Sequence, residues 1–572
     1  MRKFLTCIFT ICVLSHSANA QENNERFDLL ILNGRIIDGT GNPWVYSDVG
    51  IIGDRIASVG RLTDQSASRV IDAQGMVVTP GFIDVHTHSD KTLADSEASA
   101  NLQYLLQGVT TVRPGADGLT NHDPLNTKRQ WEGHGIGTNA VLTVGYNVLR
   151  RDVMQGDVHR SLTNSELQEM QVQVRAAMEE GAWGVSAGME EDGAVADGVD
   201  IYATPEEIIE VFRPAAEMGG FFMAHMRDEA DNVLASVEEM IQVGEATSAP
   251  VNVTHIKVTG DSNWGLMPTV ISLIESARNR GVQITADQYP WLQGMPIDFI
   301  TDLVDVPPQM ETLYTLSQES RRLNDPANAK ISDPAHRKRF TTELQQALSD
   351  KTQRNQLRNW TYKLKQDEMS PVARWGWGDF RIMVADKNVG HVGKGLAELA
   401  EEQGRDGFDV LADLILDEPD ILFASASQSP QDMRHALVQD WVMISSDGTS
   451  HPHIDSNAEP VRDHPRSFAS NAVVLRRFVR EEKLITLVDA VRKMTSLPAQ
   501  FLGMKDRGIL REGFAADLVI FDPDRVRDEA TYSDAYKLAT GISFVIVNGQ
   551  LSVEDGIFNG NRGGKVLLKT YR

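Results

Sequence analysis

Cysteine is almost absent from this 572-residue chain, and the two present, Cys7 and Cys12, both lie within its first twenty residues. Those residues read as a signal peptide: Arg2 and Lys3 form a positive start, Phe4 to Leu14 an apolar stretch, and Ala18-Asn19-Ala20 a small-residue cleavage site before Gln21. Export is therefore expected, with the periplasm as the compartment. Cleavage after Ala20 leaves no thiol, which excludes disulfides and thiolate metal ligands from the mature chain. Positive charge is also short. The chain has 55 Lys and Arg against 80 Asp and Glu, a net charge of −25. Such a surface repels phosphate backbones and anionic membranes, which excludes nucleic acid as an expected partner. Long apolar runs are missing too. The Phe4–Leu14 stretch falls short of the roughly 20 residues a membrane helix needs, so no span is expected in the mature chain.

What is present is ordinary globular material, 41% hydrophobic and 24% charged, long enough for one large domain with additions. From Phe27 to Val78 short β runs alternate with turn residues, including Asn33-Gly34 and Gly53-Asp54, which signal hairpins. Ala516–Phe521 and Phe544–Gly549 repeat that style near the other end. The two terminal segments, 21–80 and 501–572, are expected to pair into one small discontinuous β-sandwich domain. Between them, in 81–500, eight strand-like runs alternate with helix-like stretches: Gly81–His88, Val109–Val112, Ala140–Val144, Trp183–Ser186, Phe221–His225, Val251–Ile256, Val282–Asp287 and Trp441–Ser446. Eight is the count of a (β/α)8 barrel of the TIM type, an α/β fold. Thr204-Pro205-Glu206-Glu207 supplies a helix cap, and the stretch from Ser165 to Glu180 ends at Gly181. A charged, helix-flavoured segment, 291–380, interrupts the rhythm between the seventh and eighth strands, where it serves either as a lid over the barrel mouth or as a solvated decoration.

The chemistry concentrates at strand ends. His86 and His88 stand two residues apart, so in a strand both side chains leave the same face. They fall at the C-terminal end of the first strand, where barrel enzymes carry their sites. His225, His255 and Asp447 close three further strands. Each alone is as well explained by a core histidine or a capping aspartate, but five such residues at strand ends point to a metal site. Four histidines and an aspartate suit zinc or another borderline first-row ion better than calcium or magnesium.

Several motifs carry a family resemblance. Gly81–His88, Tyr202–Glu207, the His225-Met226-Arg227-Asp228-Glu229 stretch, His255 through Asn263-Trp264-Gly265, Ala286–Pro290, Ser446-Asp447-Gly448 and Lys493–Ala499 together resemble the amidohydrolase superfamily, and within it the N-acyl-D-amino-acid deacylase branch. The resemblance runs from about residue 27 to 556. It implies the barrel, the split β domain, a metal centre of one or two zinc ions, and hydrolysis of linear amides. It places one metal position at His86 and His88 and the other at His225 and His255, with Asp447 as both ligand and general acid/base. Lys257, Tyr289 and Arg466 fall where the family holds the substrate carboxylate; the bland reading of Arg466 is an exposed arginine in a lengthened polar loop.

Three departures stand out. The branch carries a Gly-Asn-Cys-Gly pattern after its second strand; here the stretch is Val112 to Gly118, and Asp117 takes the place of the metal-binding cysteine. A carboxylate is a harder donor than a thiolate, which shifts preference toward oxygen-favouring ions. The hydantoinase-type lysine on strand four is missing from Gly184–Met189, and Met295 stands where D-aminoacylases place a small hydroxyl residue. The leading expectation is thus a hydrolase of N-acyl amino acids, D-configured, giving a carboxylic acid and a free amino acid. The alternative is an exported metallopeptidase or amidase acting on dipeptides or other carboxyl-terminated amides. A non-catalytic scaffold is disfavoured because all five strand-end ligands persist. No motif specifies an oligomeric state.

Overall fold

A computed structural model describes residues 26–571 except 191–198, 261, 295, 298–302, 324–333, 364–371, 373–375, 426–427, 452–463 and 533. The expected signal peptide and Met295 lie outside the described residues.

The eight expected strands all form. They are β1 (Phe82–Asp84), β2 (Val109–Val112), β3 (Asn139–Val141), β4 (Gly184–Gly188), β5 (Phe221–His225), β6 (Val251–Val253), β7 (Ile284–Gln288) and β8 (Val442–Ile444). Neighbours pair in parallel from β1 to β3 and from β4 to β8. The two arcs join where Val144–Gly145, just beyond β3, pairs with Val185–Ser186 of β4. The ring closes on the other side where Gly448–Thr449, beyond β8, pairs with Thr87–His88, beyond β1. All residues of β1 to β4 are buried, as a parallel sheet sheathed by helices requires. The helix over Pro205–Glu217 opens on Thr204, whose side chain accepts from the Glu207 amide, as its sequence predicts. The helix Asn164–Glu179 starts on a Thr163–Glu166 capping box, in which the Thr163 side chain accepts from the Glu166 amide.

The terminal segments meet in one nine-stranded mixed sheet. Its central junction is antiparallel pairing of Leu518–Phe521 with Val77–Pro80. Alternation along that strand divides its labour: Leu518 and Ile520 join the β domain's own core, while Val519 and Phe521 join the cluster shared with the barrel. Gly53-Asp54 forms the expected hairpin, pairing Ile52 with Arg55. Asn33-Gly34 does not. Phe27–Ile36 runs as one strand, and the register slips between Ile31 and Gly34. Asn33 takes a left-handed φ of 57°, and its amide donates to Asp48 Oδ1 at 2.8 Å. The dipeptide therefore makes a bulge rather than a turn.

The inserted segment extends past the expected end at 380. Its strands Pro296–Ile297, Phe380–Val384 and Leu422–Ser425 form a separate antiparallel sheet, and its apolar core spans Leu303 to Phe423. Beyond residue 380, Leu396, Leu399, Phe408 and Leu411 pack into this core and not the barrel's. The insertion is thus a small unit with its own interior, not a solvated decoration. It leaves and rejoins the barrel near the C-terminal end of β7, where Gln428 bonds Gln288 and the Trp291 carbonyl at 3.0 and 2.8 Å.

Asp517 rivets the β domain to the barrel. Its carboxylate accepts from Asn548 N at 2.7 Å, from Asn139 Nδ2 of β3 at 3.1 Å, and from Arg507. Removing one partner of a buried ion pair typically costs about 3–5 kcal/mol. Asp517→Ala is expected to lower the unfolding free energy read from urea denaturation by an amount of that order; an unchanged unfolding free energy would show that the junction does not depend on this carboxylate.

Candidate metal centre

The sequence-predicted residues converge on the C-terminal mouth of the barrel. His86 is fully buried and His88 partly so. Their Nε2 atoms each lie 3.2 Å from Asp447 Oδ1 and 3.5 Å from Asp117 Oδ2. A tetrahedral ion with bonds of ~2.0–2.1 Å has ligand–ligand edges of ~3.3–3.4 Å. The four donors therefore have the spacing of a first-row transition-ion cage. Although the oxygens are close, both ring nitrogens of His86 and Asp117 Oδ1 are buried without a hydrogen-bond partner among the described residues. Buried polar atoms left in that condition are costly unless something else takes their lone pairs.

One nitrogen of His255 lies within 4.8 Å of the donor atoms of His86, Asp117 and Asp447. His225 stands beside it, with ring centroids 4.4 Å apart. A second group of three, His225, Glu229 and His255, adjoins the first through that shared histidine. Glu229 appears in the sequence motif, but its role was not legible there. It lies four residues past His225 in a loop, and only the fold brings it against His255 and Lys257.

Electrostatics match the geometry. Burial alone would depress the His86 pKa, but Asp117 and Asp447 outweigh it and hold the ring at about 10. Both carboxylates stay well below their ordinary range despite burial, through His86 and, for Asp447, Arg466. That is a strongly negative pocket, suited to a cation. His225 is the reverse: burial, His255 and Lys257 push it down to about 4, against the pull of Glu229. A neutral imidazole is the form that binds metal.

The backbone is bent to aim these groups. Among the described residues ten non-glycine positions have positive φ, and Asp117 (54°), His255 (32°) and Asp447 (50°) are three of them. Strain of this kind persists where surrounding structure imposes it, often at functional sites. The Asp117 turn approaches β4 so closely that a Cβ on Gly188 would sit 2.7 Å from the Asp117 carbonyl. Asn147 then holds Gly188 through two hydrogen bonds, at 2.8 and 3.0 Å.

The three expected carboxylate-binding residues also meet here. Tyr289 is buried, with the Arg466 guanidinium 5.1 Å and the Lys257 ammonium 5.8 Å from its ring centre. Arg466 is 3% exposed, which overturns its reading as a surface arginine. It donates to Asp447 Oδ2 at 2.6 Å, while its buried Nε has no partner among the described residues. Beneath the site, Asp84 and Asp287, which lie in the motif stretches without a role readable from sequence, anchor a polar floor. Asp287 accepts from Ser445 Oγ at 2.6 Å, Asn252 at 2.6 Å and the His255 amide at 3.1 Å. Asp84 accepts from the amides of His86 and Ser446, and burial raises its pKa to about 7.

The model of the amidohydrolase family matches residues 69–553. D-aminoacylase of Alcaligenes xylosoxydans xylosoxydans is 31% identical over 96% of this chain and 99% of its own length. N-acyl-D-glutamate deacylase of the same organism is 29% identical over 92% of this chain and 93% of its own. Among solved structures, a D-aminoacylase covers 95% of this chain and 100% of its own at 30% identity and a TM-score of 0.69. An N-acyl-D-glutamate deacylase from Bordetella bronchiseptica, complexed with zinc and a phosphonate mimic of the tetrahedral intermediate, shows the same coverage at 29% identity and a TM-score of 0.68. By the span of that match and by these near full-length likenesses, the chain belongs to the amidohydrolase family.

Proposed function

We propose that the protein is a metal-dependent amidohydrolase that cleaves N-acyl amino acids of D configuration into a carboxylic acid and a free amino acid. The observation that carries this reading is the Nε of Arg466, which has no partner among the described residues and is buried beside Tyr289 and Lys257 and next to Asp447. A planar guanidinium with a free donor at that place suits a substrate carboxylate. The three deacylase relatives, for D-amino acids, D-glutamate and D-aspartate, support the substrate class. They do not favour the dipeptidase alternative.

In this reading His86, His88, Asp117 and Asp447 hold one ion, and His225 and His255 contribute to a second position. Zinc is the ion suggested by the Bordetella enzyme. A divalent ion so bound supplies Lewis acidity, bringing the pKa of water toward about 7 and polarising the amide carbonyl. Asp447 is the proton carrier. Arg466 and the histidines keep it ionised despite burial, so it can accept a proton from the attacking water and return it to the departing amine. Lys257, Tyr289 and Arg466 orient the amino-acid end, which fixes the scissile carbonyl relative to Asp447. We also place the enzyme outside the cytoplasm, in the periplasm, because residues 1–20 have the composition of a cleaved leader.

The direct test is amine release by residues 21–572 from matched N-acetyl-D- and N-acetyl-L-amino acids, with chelator and then with zinc restored. Cleavage confined to the D series, lost with chelator and recovered with zinc, is expected; metal-bound protein inert toward both series would discard the substrate. Asp447→Asn is expected to fold and lose turnover by about 10²–10⁴-fold, and a near-normal rate would remove Asp447 from proton transfer. Asp117→Ala is expected to weaken metal binding by more than the ~10–100-fold that loss of an outer-shell partner causes. Asp117→Cys should recover binding and favour zinc over manganese, both read by metal competition. Equal metal affinity in all three forms would show Asp117 to be a turn residue only. For the leader, the protein from a periplasmic extract is expected to begin at Gln21 on N-terminal sequencing, and a retained Met1 would contradict export by cleavage.

A further inference from the structure

Glu229 stands between the two halves of the site, and nothing in the mechanism above uses it. The residue is nearly buried, and its two oxygens face different partners. Oε2 lies 2.5 Å from the Lys257 ammonium. Oε1 lies 3.0 Å from His255 Nδ1, and it has no aligned hydrogen bond among the described residues. Lys257 Nζ lies 2.8 Å from the same Nδ1, a contact that is a hydrogen bond only in the tautomer whose Nδ1 carries no proton, whereas the tautomer protonated there faces Glu229. His225 Nε2 is more distant, 3.5 Å from Oε2.

The loop that carries Glu229 is locked. Its backbone carbonyl accepts from the Thr259 amide at 2.7 Å. Asp228 beside it accepts from the Ala230 amide at 2.6 Å and Asn232 Nδ2 at 3.0 Å, and its own amide donates to Ser236 Oγ at 3.0 Å. A carboxylate fixed by this much backbone is suited to hold other groups in place. Although burial opposes ionisation, His225, Lys257 and His255 keep it charged, with a pKa near 2.

We propose that Glu229 is a positioning residue that couples the metal centre to substrate recognition, one oxygen orienting His255 and the other holding Lys257. The logic on the metal side is general. A histidine that ligates through one nitrogen is oriented by what its other nitrogen donates to, and a carboxylate in that place also raises ligand basicity. On the substrate side, Lys257 is a flexible point charge whose four-carbon arm must be restrained if it is to meet a carboxylate at a set distance from Asp447. This inference rests on the deacylase reading for its substrate half only; the metal half requires no substrate.

The test compares Glu229→Gln and Glu229→Asp with wild type in two measurements. The first is zinc affinity by chelator competition without substrate. The second is the preference, in kcat/KM, for an N-acetyl-D-amino acid over its C-terminal primary amide. For Glu229→Gln, zinc affinity is expected to fall about 10–100-fold, with full stoichiometry at saturating zinc, and the carboxylate preference to fall about tenfold. Glu229→Asp keeps the charge on a shorter arm and should shift both in the same direction by less. That variant carries the test alone if Glu229→Gln does not fold. Loss of a whole equivalent of zinc at saturation would overturn the proposal by making Glu229 a direct ligand. No change in either measurement, or a change in only one, would also overturn it. A wild type that binds zinc but cleaves no N-acyl amino acid would discard the deacylase reading and the substrate half with it, whereas a zinc-affinity loss in Glu229→Gln would still support the metal half.

Discussion

The barrel closes through the same residues that make its metal centre. Between β8 and β1 the Asp447 amide donates to the His86 carbonyl at 3.0 Å, and the Ser446 amide donates to the Asp84 carboxylate. Gly448–Thr449 then pairs with Thr87–His88. A (β/α)8 sheet has no free edge only when its first and last strands meet. Here that meeting is made largely beyond the strands proper, at the mouth, by residues carrying imidazole and carboxylate groups. The ring closure and the candidate ligand cage thus share the same stretches of chain, so the backbone contacts that close the ring also set the spacing of His86, His88 and Asp447. The left-handed φ of Asp447 belongs to the same constraint: the chain must leave β8 sharply for its carboxylate to reach across the seam.

Below the cage the barrel interior is unusually polar for a packed core. Arg113 is fully buried and donates Nε to the Val85 carbonyl at 2.6 Å, with burial lowering its pKa to about 10. Asp84, Asp287, Asn252 and Ser445 surround the same level of the barrel. Buried charge of this kind is weak evidence for stability, since desolvation often exceeds the Coulombic gain. Its value here is directional. Each carboxylate accepts from the backbone amide of a neighbouring site residue, His86 or Ser446 at Asp84 and His255 at Asp287. Stability is therefore traded for the aim of three strand ends.

Much of this architecture is legible in the sequence because it depends on local periodicity. Short strand-like runs, most with Gly or Pro at one end, mark all eight barrel strands, and the Thr204 cap reads directly from Thr-Pro-Glu-Glu. The His86-x-His88 pair and Asp447 are legible because they follow strand-like runs, but β1 ends at Asp84 and the chain bends at Val85–His86, so the bend and not strand alternation sets the direction of the two rings. What escapes the sequence is set by long-range contact. Asn33-Gly34 has hairpin chemistry, but Asp48, fifteen residues on, captures its amide and makes it a bulge. The insertion's true extent depends on which core Phe408 and Leu411 join, a choice that their spacing does not record. Arg466 belongs to a polar stretch by composition, yet it is buried because Asp447 supplies its counter-charge. Glu229 gains its meaning only when β6 carries His255 and Lys257 alongside it.

The family resemblance implies that Asp117 stands at a cysteine position, and the rest of the composition fits such an exchange. With the leader removed at Ala20, the chain would carry no sulfhydryl at all. A thiolate ligand is soft and oxidisable, and outside the cytoplasm no glutathione pool maintains it in the reduced state. A carboxylate at Asp117 holds the same negative charge beside His86 and His88 without that liability. The cost falls on softness, since an oxygen donor binds zinc less selectively against harder ions. It falls also on the backbone, because residue 117 occupies a left-handed conformation. Aspartate is among the few residues other than glycine that adopt this conformation readily. The turn that brings residue 117 beside His86 and His88 thus suits aspartate in its backbone geometry, and the export proposed above would suit it in its chemistry. On that proposal one steric and one redox constraint favour the same side chain.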